Sequence, residues 1–215
     1  MAKDLEYVTD SAEHYYLSIV PQKTKEELRL LHAGEGRFYH TWDHVREIFR
    51  LMEYVDESFE CLPGVILAAA YHDSVYNVKR KDNEQKSAAL MRRQSKNLEL
   101  FWVETADRLI LATETHNLPH GYGPESDCAY FLDLDMVILG SPEQRYRTYI
   151  AGLRKEYGYL SESQWAVGRA SFLGKMLQRL ETGHLFHTQW AKDNFGYLAE
   201  KNMRAEMTSL LASAS

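Results

Sequence analysis

Two histidine pairs stand out, His40 with His44 and His116 with His120, each at i, i+4. On a helix that spacing puts both rings on one face, within reach of one ion or substrate. The chain carries nine histidines in 215 residues. About 0.4 pairs then arise by chance at any chosen spacing, so the spacing alone is a weak motif. Pro119 lies inside the second pair and argues against a regular helix there. A third feature is His72-Asp73, where a strongly apolar segment emerges toward Asn77, Lys79, Arg80 and Lys81. Adjacent helix residues diverge by about 100°, yet a helix end aimed at an ion can present both. The plainer reading of the dipeptide alone is a pair that meets solvent. A fourth feature is Asp133-Leu134-Asp135, set in the apolar run Phe131 to Leu139. A buried carboxylate is costly unless paired or bound to metal. Alternating positions face different sides of a helix, so only one of these two acids is expected to face a given site.

Taken together, His44, His72, Asp73 and an acid of the 133–135 segment form a mixed nitrogen and oxygen donor set. Such a set suits a six-coordinate divalent cation (Mn, Fe, Co, Ni or Mg) with positions open for water. It is not the closed tetrahedral set of a structural zinc.

These donors need a scaffold, and the sequence predicts an all-α one. Prolines number five and glycines twelve, and they fall between periodic segments, with no sustained strand-like alternation. Helices are predicted over about 8–20, 24–33 with Thr24 as N-cap, and from Thr41 with Val45, Ile48, Phe49, Met52 and Val55 as its buried stripe. The segment from Pro63 through Ala70 is apolar on nearly every side and is expected to be the central helix. Further helices are predicted over about 83–97, 103–115, 126–139, 142–157, 161–182 and 189–212. Ser161 and Gln164 stand at capping-box spacing, and 116–125 reads as a loop. No repeat, low-complexity tract or linker is visible, so one helical domain is the economical reading.

Composition narrows the function classes. Hydrophobic residues are 45% and charged residues 26% of the chain, which excludes a disordered polymer. A net charge of −6 argues against an extended nucleic-acid surface while leaving a nucleotide in a local basic pocket open. Cys61 and Cys128 are too few for a disulfide framework and suggest a reducing compartment. Residues 1–10 lack the apolar core of a signal peptide. The longest apolar stretch, Val65 to Tyr71, is far short of the ~20 residues a membrane helix needs. A cytoplasmic protein without membrane contact is expected, and its helical surface is compatible with a homodimer.

The order His44, then His72-Asp73 at the end of an apolar helix, then Asp135 resembles the HD superfamily of metal-dependent phosphohydrolases. Tyr39-His40-Thr41-Trp42-Asp43-His44 is also similar to the Tyr-His-Asn-x-x-His element of cyclic-nucleotide phosphodiesterases. The likeness is greatest to a group of short bacterial HD proteins and covers about residues 25–210. It is carried by Arg37 to His40, Tyr71 to Asp73, Asn83-Glu84 with Ser87-Ala88, Thr113 to His116, Asp133 to Asp135 with Ile138 to Gly140, and Gly168-Arg169.

The resemblance implies a single HD-type helical domain over 1–215, with its core at about 37–140 and helices 142–212 packed on it. It implies His44, His72, Asp73 and Asp135 as metal ligands, with Asp135 preferred over Asp133 by the family's pattern. His40 would be the general acid, and water activated by the metal would attack phosphorus. The substrate would be a small-molecule phosphate ester or anhydride, with a nucleotide favoured.

Around that core, Glu84 is a candidate base or water-positioning group, or else an acid in the first turn of a helix. Arg37, Lys79 and Arg80 are candidates for substrate phosphates. His116 could extend the site, and Arg169 could reach it or pair with a buried acid. The segment after the pair, Ser74-Val75-Tyr76, departs from the phosphodiesterase pattern, which places a further acid and His there. Two other readings fit the residue types. One is a di-iron oxygenase of HD type drawing further ligands from His116, His120 and Asp133. The other is a non-catalytic module that binds metal or ligand.

Overall fold

The regular elements follow the helical periodicity. A computed structural model describes residues 11–213, and among them every regular element is helical and no strand occurs. The helices are α1 (Ser11–Tyr16), α2 (Gln22–His32), α3 (Trp42–Met52), α4 (Leu62–Tyr71), α5 (Asn83–Gln94), α6 (Leu100–Ala112), α7 (Asp127–Met136), α8 (Glu143–Glu156), α9 (Glu162–Glu181) and α10 (Gln189–Ser213). None is long and apolar enough to cross a membrane. Both cysteines are buried and free.

The central position of α4 follows from its composition. Pro63 sits in the first turn, where its missing N–H costs nothing, and every residue from Gly64 to Tyr71 is buried. Helix α6 packs on it closely: a Cβ at Gly64 would lie 2.8 Å from the Thr105 side chain. The inner face of α6 is Ala106, Leu109, Ile110 and Ala112, and that of α3 is Val45, Ile48, Phe49 and Met52, as the periodicity predicts. Buried apolar side chains from α1 through α10 form one cluster.

Boundaries moved where caps decide them. Ser161 and Gln164 form the reciprocal capping box at the start of α9, and the Ser126 hydroxyl accepts the Ala129 N–H at the start of α7. Thr24 is not an N-cap. Helix α2 starts two residues earlier, directly after Pro21, whose φ of −57° already suits the helix. Helix α1 gives way to a 3₁₀ turn at Leu17–Ile19, and the part of this helix expected over 8–10 lies outside the described residues. Helix α5 stops at Gln94 rather than Asn97, with Ser95 as its C-cap.

Beyond α7 the chain tightens into a 3₁₀ turn, Val137–Gly140, that lies against α10. A Cβ at Gly140 would sit 2.6 Å from the Phe195 Cβ and 2.9 Å from its Cα, and against its carbonyl oxygen. Backbone cannot rotate aside, so Gly140→Ala is expected to destabilise the protein by about 2–3 kcal/mol through overpacking. A denaturant titration against wild type measures this, with Gly174→Ala as the comparison, because a Cβ there meets nothing within 4 Å.

Candidate metal centre

Three helix ends deliver the donors. The first turn of α3 carries His44, which is buried. The end of α4 carries His72 and Asp73, and the last turn of α7 carries Asp135. The His72 Nδ1 donates to the Ala69 carbonyl at 3.0 Å, which leaves Nε2 for the site. His72 and Asp73 follow the last residue of α4, where the Ser74 N–H turns back to the Tyr71 carbonyl. The adjacent side chains therefore converge instead of diverging by a helical step.

His44, His72 and Asp73 each place one ligand atom within 4.8 Å of the others. His44 Nε2 lies 3.2 Å from His72 Nε2, and His72 Nε2 lies 3.2 Å from Asp73 Oδ2. Asp135 Oδ1 is 2.9 Å from His44 Nε2. Two further separations are longer: 3.9 Å from His44 to Asp73 and 3.7 Å from His72 to Asp135. Two donors about 2.1 Å from one ion at a right angle lie about 3.0 Å apart. The short separations therefore have the bite of neighbouring ligands, and the His44-His72-Asp73 group could hold a metal ion.

The electrostatics favour a cation. Burial alone would keep His72 neutral, but Asp73, reinforced by Asp135, outweighs it and pushes the ring up to about 9. Burial likewise pushes Asp73 up, and the adjacent His72, then His40, pull it well below the ordinary range. Asp135 is also held low: hydrogen bonds from His116 and His44 outweigh its burial.

Asp133 and Asp135 part company. Asp133 is fully buried and turned to the start of α10. It accepts the N–H groups of His187 and Thr188, each at 2.8 Å, and the Thr188 hydroxyl at 2.7 Å. Asp135 instead spans two histidines, with Oδ2 taking the His116 Nε2–H at 2.8 Å. His116 follows α6 with φ at +51°, a left-handed conformation that a β-carbon residue adopts only when held. Arg179 and His187 hold it by donating to its carbonyl. His120 is exposed in the same loop and does not join the group.

His40 has its own support. Its Nδ1 donates to Glu156 Oε2 at 2.7 Å, and its ring stacks on Tyr76 with centroids 4.1 Å apart. Glu156 Oε1 accepts three backbone N–H groups, from Phe38, Tyr39 and His40, at 2.7–2.9 Å. The Tyr76 hydroxyl also donates to Glu156. Burial pulls the His40 pKa down, but Asp73 and Glu156 raise it above its ordinary value. Glu156 is held at about 2, against its burial, chiefly by His40.

Glu156 was missed in the sequence reading. The signal was present: Tyr146, Tyr149, Leu153 and Glu156 occupy one helical stripe and all four are buried, so a carboxylate sits where apolar residues belong.

Other expected site residues lie elsewhere. Arg80 makes a two-pronged ion pair with Asp82 at the exposed surface, and the Lys79 ammonium sits over the Tyr159 ring. Glu84 occupies the first turn of α5, the position an acid favours beside a helix N-terminus. None of the three lines the two cavities that meet at Asp135. Arg37 ties two segments of the site together, donating to the His40 carbonyl at 2.8 Å and the Ser74 carbonyl at 3.2 Å. Arg169 lines one cavity but pairs with the buried Glu206 at 2.8 and 3.0 Å. Asn83 and Ser87 fasten the segment after Asp73, through Asn77 and Val75.

Compared with protein-family models, with curated proteins and with solved structures, the chain matches none.

Proposed function

We propose that the chain is an HD-type metal-dependent phosphohydrolase acting on a phosphate ester or anhydride of a small molecule, a nucleotide being the favoured class. The observation that carries this reading is the meeting of His44, His72 and Asp73, with Asp135 against His44, beside a cavity lined by His40 and Asp135. These four residues would hold a divalent ion, which when bound would supply Lewis-acid polarisation of a phosphoryl oxygen and activation of water.

The other groups have roles that follow from their contacts. His40 commits Nδ1 to Glu156, which leaves Nε2 for the cavity and suits the ring to protonating a departing oxygen. Glu156 positions that ring and favours its protonated form. His116 orients Asp135 through its second oxygen. The location of His116 also favours a second reading, an HD-type di-iron oxygenase, because a second ion would need a further imidazole beside the first. Against it, Asp133 is spent on capping α10 and His120 is exposed.

The test is phosphate release from a panel of phosphate monoesters, diesters and nucleotides with Mn²⁺, Fe²⁺, Co²⁺, Ni²⁺ or Mg²⁺, alongside oxygen uptake with Fe²⁺. Metal-dependent phosphate release is expected. Oxygen uptake without phosphate release would replace hydrolase by oxygenase, and an ion bound without any turnover would leave a non-catalytic binding module.

A further inference from the structure

The cavity beside His40 and His116 has a volume of about 410 Å³, within the range that accepts a small organic ligand. One end reaches Asp135, whose carboxylate touches His44 of the candidate metal centre. The rest is walled by aromatic side chains, Tyr76, Tyr149, Tyr157, Trp165 and Phe172, with aliphatic side chains between them. Away from His40 and His116 at the Asp135 end, the cation among the described lining residues is Arg169, whose guanidinium is already taken twice by Glu206 and once by the Tyr149 hydroxyl at 3.2 Å. The Tyr76 hydroxyl is likewise committed to Glu156. A second anionic group entering this part of the cavity, away from His40, would lose water and meet no unspent cation among the described lining residues. A flat uncharged ring would instead meet aromatic side chains, edge-on or stacked.

We infer that this cavity selects the leaving group: the substrate is a phosphate monoester of an alcohol bearing an uncharged aromatic ring, with its one phosphate at the metal centre and the ring between Tyr157, Trp165 and Phe172. This rests on the hydrolase reading for the phosphate end only. The ring end is a property of the cavity. A nucleoside monophosphate and an aryl-alkyl phosphate share this chemistry. Nucleoside triphosphates and sugar phosphates do not.

Gly168 provides the probe. It lines the cavity from within α9, and a Cβ there meets nothing within 4 Å. Gly168→Leu therefore adds bulk at the cavity wall with a Cβ that displaces no neighbour, and it replaces glycine by a better helix former.

Two measurements on the full chain decide the matter. The first is ligand-observed NMR of adenosine and of 2-phenylethanol, neither of which carries phosphate, without added metal. Wild type is expected to bind at least one of them, and Gly168→Leu to weaken that binding at least tenfold. Binding of adenosine identifies a nucleoside as the ring source, and binding of 2-phenylethanol alone identifies an aryl alcohol. The second is kcat/KM with Mn²⁺ for AMP, 2-phenylethyl phosphate, ATP, glucose 6-phosphate and ethyl phosphate. One of the first two is expected to exceed ATP and glucose 6-phosphate at least tenfold. Gly168→Leu should lower its kcat/KM through KM, and at least tenfold more than it lowers that of ethyl phosphate.

Ring binding that Gly168→Leu abolishes, with no phosphatase activity, would support the cavity assignment and overturn the hydrolase reading. Phosphate release that is equal for ATP, glucose 6-phosphate and AMP and is indifferent to Gly168→Leu would overturn the cavity assignment and leave the hydrolase standing. Failure of both adenosine and 2-phenylethanol to bind would also overturn the assignment.

Discussion

Asp73→Ala, purified in parallel with wild type, is expected to lose its divalent metal, where wild type retains about one ion per chain. Asp73 supplies one of the three ligand atoms that lie within 4.8 Å of each other, and it is the negative member of that group. Removing even an outer hydrogen-bond partner of a metal ligand costs 10–100-fold in affinity, so losing a ligand should cost at least about 100-fold. Elemental analysis reads the result, and near-ultraviolet circular dichroism shows whether the variant is folded. Asp133→Asn is the informative companion. Its carboxylate caps α10 rather than facing the metal centre, so its loss should lower stability while the metal stays. Two irons per wild-type chain would bring the oxygenase forward. No ion in wild type, even after incubation with Mn²⁺, Fe²⁺ or Ni²⁺, would sink the metal-dependent reading altogether.

His40→Ala is expected to keep its metal and lose about 10²–10⁴-fold in kcat, the ordinary contribution of a positioned general acid. The pH profile separates that role from a structural one. A general acid works while protonated, so the rate falls as pH rises through its pKa. Asp73 and Glu156 raise the His40 pKa against its burial, with Asp135 adding to them, so in wild type this alkaline limb lies above the value of an ordinary histidine. Glu156→Gln keeps an oxygen for the backbone N–H groups of Phe38, Tyr39 and His40 but removes the negative charge. Its alkaline limb should move to lower pH, and in His40→Ala that limb should vanish. An unchanged limb in Glu156→Gln would show that Glu156 only builds the loop.

The resemblance pointed to Asp135 over Asp133 as the ligand, and the structure supplies a physical reason for their difference. The two acids sit in one apolar run, and their difference comes from His187 and Thr188, more than fifty residues downstream at the approach to α10, whose N–H groups claim Asp133. The basic run Lys79-Arg80 was attractive by charge alone. Its charges are satisfied locally, by Asp82 and by the Tyr159 ring, in an exposed segment. Arg169 had two destinations from sequence, and the buried Glu206, thirty-seven residues on, pairs with it while it still lines the cavity.

What the sequence determined by itself was what neighbours along the chain decide: the helical period, the apolar character of α4, the Ser161 capping box, and the residue types able to ligate a cation. Each depends on contacts within about one helical turn, and such contacts are written in consecutive residues. Only the tertiary structure decided that Glu156 reaches back 116 residues to hold His40, that Arg179 and His187 clamp the left-handed His116, and that Gly168 lies at the wall of an aromatic-lined cavity. Those pairings are set by which helix faces bury against each other. A buried carboxylate or an open wall acquires its meaning from partners that the linear pattern does not identify.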